Sequence, residues 1–253
     1  MSAWIKCLRL PVCILASFLT ITSFVLAKIS ISWIAVLSVY FIASATMLQN
    51  DWRDRFHDVR KGKKLASEHK KAFLALLIVV WMISAGLIAF TIVDNATLGI
   101  VLTIVAIVGL VYSETRKIPL VPIVIVSFVS AGPALLPLTN GANSEKLLPL
   151  FFSTTLVIFA REITKDLDDK KIDSGYKWTI PLALTERHSR ILSAIAIIVG
   201  FLIIVKVSLI IFPVTIFAVI TGILLVRGAK LSIIRKYLDI EMAFVIFIII
   251  IFR

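Results

Sequence analysis

The chain has 253 residues, 60% of them hydrophobic, with a mean hydropathy of +1.03 and a formal charge of +12 at pH 7. Soluble domains run nearer half apolar, and the apolar residues here fall in blocks close to the ~20 residues that a bilayer-crossing helix needs. Lipid leaves no partner for open backbone, so only helices or a closed barrel remain, and unbroken rather than alternating blocks exclude the barrel.

Taken in chain order, the blocks give nine predicted spans at 10–27, 31–49, 72–93, 97–113, 118–138, 147–164, 190–205, 208–226 and 240–252. The first follows Lys6 and Arg9, and no clear small-residue cleavage site comes after it, so it reads as a span rather than a signal peptide. Cys7 and Cys13 suggest neither a disulfide nor a metal site and read as apolar filler. The break between the seventh and eighth spans rests on Lys206, with Pro213 soon after, and the ninth span is short.

Loop charge sets the orientation. With a cytoplasmic N-terminus, the connections after spans two, four, six and eight face the cytoplasm and should be basic. They carry Arg60, Lys61, Lys63, Lys64, Lys70 and Lys71, then Arg116 and Lys117, then Lys165, Lys170, Lys171, Lys177 and Arg187, then Arg227, Lys230, Arg235 and Lys236. Of the 27 basic residues only Lys28, Lys146, Lys206 and Arg253 fall on the other side, and of the 15 acidic ones only Asp94 and Glu145. The expectation is one polytopic domain, 1–253, in a cell membrane, with acidic cytoplasmic loops at 50–71 and 161–189. The basic excess follows from this sorting, helped by anionic membrane lipid, and does not point to nucleic acid.

Acids gathered on one side need a separate reason. In the first loop Asn50, Asp54 and Asp58 are spaced i, i+4, i+8, which puts them on one face if span two continues as helix; Asp51 could join them. In the second, Asp166, Asp169 and Asp173 are spaced i, i+3, i+7, again one stripe, and Asp168 points elsewhere. Like charges at this spacing destabilise a bare helix, so such a stripe calls for a cation. Carboxylates are hard ligands, and Mg²⁺ prefers a few of them together with waters and substrate phosphate oxygens. Two such stripes with bases nearby suit a diphosphate. Neither loop has the EF-hand ligand pattern. No Ser-His-Asp set, Cys/His zinc pattern or Gly-rich phosphate loop is present; His57, inside the first acidic loop, reads either as a partner behind the metal ligands or as a solvated side chain, and His69 and His188 read as loop residues.

The pattern Asn50-Asp51-x-x-Asp54-x-x-x-Asp58 resembles the first aspartate-rich motif of the UbiA superfamily of intramembrane prenyltransferases. Arg161-Glu162-Ile163-x-Lys165-Asp166-x-x-Asp169-x-x-x-Asp173, followed by Thr179-x-Pro181, resembles the second. Tyr112-Ser113, with Lys117 five residues past the tyrosine, resembles the short motif after the fourth helix. The resemblance implies an all-α bundle of nine transmembrane helices that binds an isoprenyl diphosphate through Mg²⁺. It implies that Asn50, Asp54 and Asp58 serve one ion and Asp166, Asp169 and Asp173 another, with Asp54, Asp58, Asp166 and Asp169 central to catalysis. Lys117 would contact the diphosphate, Arg161 and Lys165 would either join it there or only pair with acids, and Tyr112 would contact the substrate. The chain departs from the family's common pattern: no proline follows the first motif, Ile172 stands where Gly often precedes the last aspartate, and Ile118-Pro119 replaces a Gly-Asn pair.

The implied activity is prenyl transfer to a lipophilic, aromatic acceptor within the membrane. The alternative is a cyclase of the same superfamily, in which the prenyl cation closes on its own double bonds. Trp33, Tyr40, Phe151, Phe152 and Phe159 are candidate aromatic faces for that cation, or ordinary packing. A transporter is less in keeping with the pattern, because its ionisable residues would sit within the spans, and the D-G-x₂-A-R arrangement of CDP-alcohol phosphotransferases is missing.

Overall fold

The computed structural model describes Trp4 and residues 7–252. Lys6 and Arg253, both used in the charge argument, lie outside the described residues. The described residues are predominantly helical, with no strand among them. Among them, nine long helices run Leu10–Ala27 (α1), Trp33–Arg53 (α2), Lys70–Asp94 (α3), Ala96–Tyr112 (α4), Val121–Ala131 (α5), Leu147–Asp168 (α6), Glu186–Ile204 (α7), Phe212–Val226 (α8) and Leu231–Ile251 (α9). Eight helical segments among the described residues are long and apolar enough to cross a membrane. The chain is a multi-pass integral membrane protein. The segment predicted at 240–252 is not among those eight; it lies in α9, whose first half carries Arg235, Lys236, Asp239 and Glu241.

Local chemistry explains the boundaries. Ser32, Asn95 and Thr185 cap α2, α4 and α7 by accepting from backbone N–H groups three residues on. Span five is shorter as α-helix than the sequence suggests. Pro133 and Pro137 lack donors, and the chain tightens into a 3₁₀ stretch over Gly132–Asn140. The predicted break near Lys206 is present: α7 ends at Ile204 and α8 opens with Pro213 in its first turn.

The chain divides into two compact units, one of Met1–Ile21 and Ile31–Glu114, the other of Thr22–Ser30 and Thr115–Arg253. In the first, α2 packs on α3 and α4 around Ala45, Leu48, Phe73, Leu77 and Val80. Gly109 of α4 has no side chain where Thr46 Oγ1 would lie 2.5 Å from a Cβ, so the two helices come close. In the second, α6 lies against α5, α7 and α9. Small polar residues join α6 to α7: Ser193 donates to the Ala160 carbonyl at 2.9 Å, and its hydroxyl is 3.1 Å from that of Thr164. Ile123, Ile163, Leu167 and Ile180 form a buried cluster at the C-terminal end of α6. Thr221 of α8 donates to Glu241 of α9 at 2.6 Å, giving a buried acid a partner within the helices.

Candidate active site

The first cluster forms because α2 runs four residues beyond its predicted end at 49, to Arg53. Asp54 caps it, and Arg55–Asp58 adds one further turn. The Asp54 N–H donates to the Asn50 carbonyl at 2.9 Å and the Asp58 N–H to that of Asp54 at 2.8 Å. Asn50, Asp54 and Asp58 therefore stand one turn apart, as their spacing predicts. Asp51 and Asp58 are buried. Lys63 Nζ lies 3.1 Å from Asp58 Oδ2 and 3.7 Å from Asp51 Oδ1, and Arg9 also pairs with Asp51. Gly62, at φ +77°, turns the chain back so that Lys63 can reach. Arg55 is stacked over Trp52 and Phe56, 4.3 and 4.5 Å from the ring centroids, and donates to the Trp52 carbonyl.

The second cluster repeats the device. Helix α6 ends at Asp168, Asp169 caps it, and Lys170–Asp173 adds a turn. The Asp169 N–H donates to the Lys165 carbonyl and the Asp173 N–H to that of Asp169, each at 3.0 Å. Asp166 and Asp173 are buried, Asp169 is half-buried, and Asp168 is exposed and points away to Arg235 at 2.6 Å. Lys177 Nζ bridges the two buried acids, 2.9 Å from Asp166 Oδ1 and 3.0 Å from Asp173 Oδ2. Gly175, at φ +77°, makes the return turn, and the Trp178 N–H fixes the loop on the Arg116 carbonyl at 2.9 Å. Burial works against the charge on the Lys177 amine, but Asp166 and Asp173 outweigh it and raise its pKa.

The remaining predicted residues fall in three kinds of place. Arg161 is held by Asp239 of α9, Nε to Oδ1 at 2.6 Å and the second nitrogen to Oδ2 at 3.3 Å. Lys165 pairs with Glu162. Lys117 is exposed on the 3₁₀ stretch Ser113–Lys117, while Tyr112 closes α4, half-buried. Of the candidate aromatics, Trp33 and Phe152 are exposed, Tyr40 packs edge-on against Phe41, and Phe151 against Phe128 and Phe152. Sequence reasoning counts Lys63 and Lys177 only as loop charge, gives Glu162 no role beyond its place in the second motif, and passes over Asp239. Its one usable signal is a lysine four or five residues past the last aspartate of each motif.

No three His, Cys, Asp or Glu side chains among the described residues gather closely enough to hold a metal ion by themselves. Each cluster instead offers two carboxylates on one ammonium group. Mg²⁺ is commonly held by one or two carboxylates and completes its shell with water and phosphate oxygens. The donor sets thus fit an ion shared with a phosphorylated substrate, not a closed protein cage.

The UbiA prenyltransferase family is matched over residues 10–251. The chain belongs to that family. It is accordingly a prenyltransferase, as the two acidic motifs imply. Solved structures share the UbiA fold over nearly the whole chain. A structure described for digeranylgeranylglyceryl phosphate synthase superposes with a TM-score of 0.72 at 20% identity, covering 98% of this chain and 96% of its own. A UbiA homologue from Archaeoglobus fulgidus bound to GPP and Mg²⁺ gives 0.68 at 15% identity, with 98% of each chain covered. The apo UbiA homologue from Aeropyrum pernix K1 gives 0.65 at 17%, covering 95% and 96%. No curated protein matches the sequence.

Proposed function

We propose that this UbiA family member transfers the prenyl group of an allylic isoprenyl diphosphate to a lipophilic acceptor, an aromatic ring first among the classes, with Mg²⁺ as cofactor. The reading rests chiefly on the two matched clusters, each with buried carboxylates closed around a cationic group. The Archaeoglobus fulgidus homologue bound to GPP and Mg²⁺ supports the choice of ion and donor. The name of the synthase with the same fold adds glyceryl phosphate lipids as a second acceptor class to try.

In this reading Asn50, Asp54 and Asp58 hold one ion and Asp166, Asp169 and Asp173 another, on the cytoplasmic side, with the N-terminus in the cytoplasm and α9 as a ninth span. Bound Mg²⁺ supplies charge neutralisation that makes the diphosphate a better leaving group. Lys117 pairs with the diphosphate and Tyr112 contacts the substrate. Arg161 and Lys165, already tied to Asp239 and Glu162, hold the shape of α6 beside the aspartates. Aromatic side chains such as Phe151 screen the allylic cation from water.

The test is diphosphate release from a panel of allylic prenyl diphosphates by the purified protein in lipid, with and without Mg²⁺ and with aromatic or glyceryl phosphate acceptors. Mg²⁺-dependent, acceptor-dependent turnover that Asp54→Ala and Asp166→Ala each abolish is the expected result. A cyclic product formed without any acceptor would replace transfer by cyclisation. Full turnover by both variants would remove the clusters from the mechanism.

A further inference from the structure

We infer that Lys177 and Lys63 are built-in counter-ions that compete with Mg²⁺ for the carboxylates of their own clusters, so that metal uptake requires each ammonium group to leave. The inference rests on the Mg²⁺ role proposed above and gives the two lysines a task that reading does not assign.

The geometry is the same in both units. Lys177 stands four residues past Asp173 and touches Asp166 and Asp173; Lys63 stands five past Asp58 and touches Asp58 and Asp51. In each case a glycine in the left-handed region turns the chain back, Gly175 before Lys177 and Gly62 before Lys63. Backbone bonds fix the return: the Tyr176 N–H donates to the Asp173 carbonyl at 3.0 Å, and the Lys63 N–H to the Asp58 carbonyl at 3.0 Å. The short tether gives each ammonium a high effective concentration at its acids.

Buried carboxylates two helical turns apart, as Asp51 and Asp58 or Asp166 and Asp173 are, repel one another and lose hydration. A tethered ammonium relieves both costs, but it does so by using the oxygens that a hard divalent ion needs. An ammonium and Mg²⁺ within one cluster also repel each other. Neutralising the lysine should therefore tighten metal binding, the opposite of what loss of a merely structural ion pair would do. Lys177 is the stronger case because its side chain is only 20% exposed, against 51% for Lys63, and water screens it less.

The experiment is Mn²⁺ binding followed by electron paramagnetic resonance, with full-length protein in lipid nanodiscs and inorganic diphosphate as co-ligand. Lys177→Met and Lys177→Gln are measured beside wild type, Lys63→Met and Asp166→Asn, and thermal unfolding is recorded in EDTA and in Mg²⁺. Both Lys177 variants should bind Mn²⁺ about tenfold tighter, consistent with removal of one close charge in a partly buried site. Lys63→Met should do the same more weakly. The Lys177 variants should lose stability in EDTA and recover it in Mg²⁺. Affinity that is unchanged or weaker in whichever Lys177 variants fold overturns the inference. Wild type that takes up no Mn²⁺, or Asp166→Asn that binds as well as wild type, overturns the Mg²⁺ reading itself and the inference with it.

Discussion

Arg161 and Asp239 meet in a two-pronged ion pair that fastens α9 to α6 one turn before the second aspartate cluster, with nitrogen–oxygen distances of 2.6 and 3.3 Å. Fork-to-carboxylate geometry of this kind gives direction as well as attraction. Arg161 is the more enclosed partner, with its side chain 23% exposed against 45% for Asp239. A double-mutant cycle of Arg161→Ala and Asp239→Ala should return a coupling of about 1 kcal/mol in thermal stability. The Arg235–Asp168 pair is more exposed on the arginine side and meets through one guanidinium nitrogen at 2.6 Å, and the same cycle there should give about half that. Equal couplings for the two pairs would contradict the distinction.

Removing Asp173 should be worse than removing Asp168. Asp173 is fully buried, and its loss leaves Lys177 facing one acid where it had two. Asp173→Ala is expected to cost about 3 kcal/mol in the absence of divalent ions, against less than about 0.5 kcal/mol for exposed Asp168→Ala. Thermal unfolding in EDTA compares them directly.

The Lys177 contribution has a defined pH range. Its folded pKa is raised, so the stability it contributes is fully present below the unfolded value, about 10.4. It disappears only as pH climbs above that value toward the raised one. The difference in unfolding temperature between wild type and Lys177→Met in EDTA should therefore stay constant from about pH 6 to about pH 9. A difference that shrinks across that interval would show that another titrating group governs the cluster.

The Thr221–Glu241 hydrogen bond joins α8 to α9 through buried groups. Glu241→Gln keeps an acceptor for the threonine hydroxyl and should be nearly neutral. Thr221→Val removes the donor and should cost about 0.6 kcal/mol, the average for interhelical bonds in membranes, and at most about 1.7 kcal/mol. Unfolding in lipid or mild detergent measures both.

Gly99→Leu should be poorly tolerated. A Cβ at Gly99 would lie 2.7 Å from the Cα and N of Ile92, which belong to backbone and cannot swing aside. Overpacking of this kind costs about 1–3 kcal/mol. Gly86, with nothing within 4 Å of where a Cβ would stand, serves as the control, and Gly86→Ala should be harmless.

The sequence carries the helical fold and the two stripes well, because lipid enforces long apolar blocks and a stripe repeats every turn. Asp54 and Asp58, or Asp169 and Asp173, stand where i, i+4 spacing puts them, linked by main-chain bonds. It carries Asp51 less well, since its burial comes from Arg9 and Lys63, which approach from separate loops. It does not carry the Arg161–Asp239 pair at all. Those residues lie 78 positions apart, and only the packing of α9 on α6 joins them. The extent of α9 is hidden for the same reason: its charged first half looks like loop until Arg235 and Asp239 are seen paired with α6.

Helices α3 and α4 are separated by Asn95 alone. A connection of one residue is too short to let one helix settle in the bilayer while the other waits in water. Asn95 also closes the turn by accepting the Leu98 N–H at 3.0 Å, and Gly99 lets the second helix pass the first without a clash. During biosynthesis the two must therefore enter the membrane together as one hairpin. Because a hairpin begins and ends on the same face, excising 70–112 as a block would leave the sidedness of every later helix unchanged, whereas excising either helix alone would set the count of spans against the basic charge of every later loop.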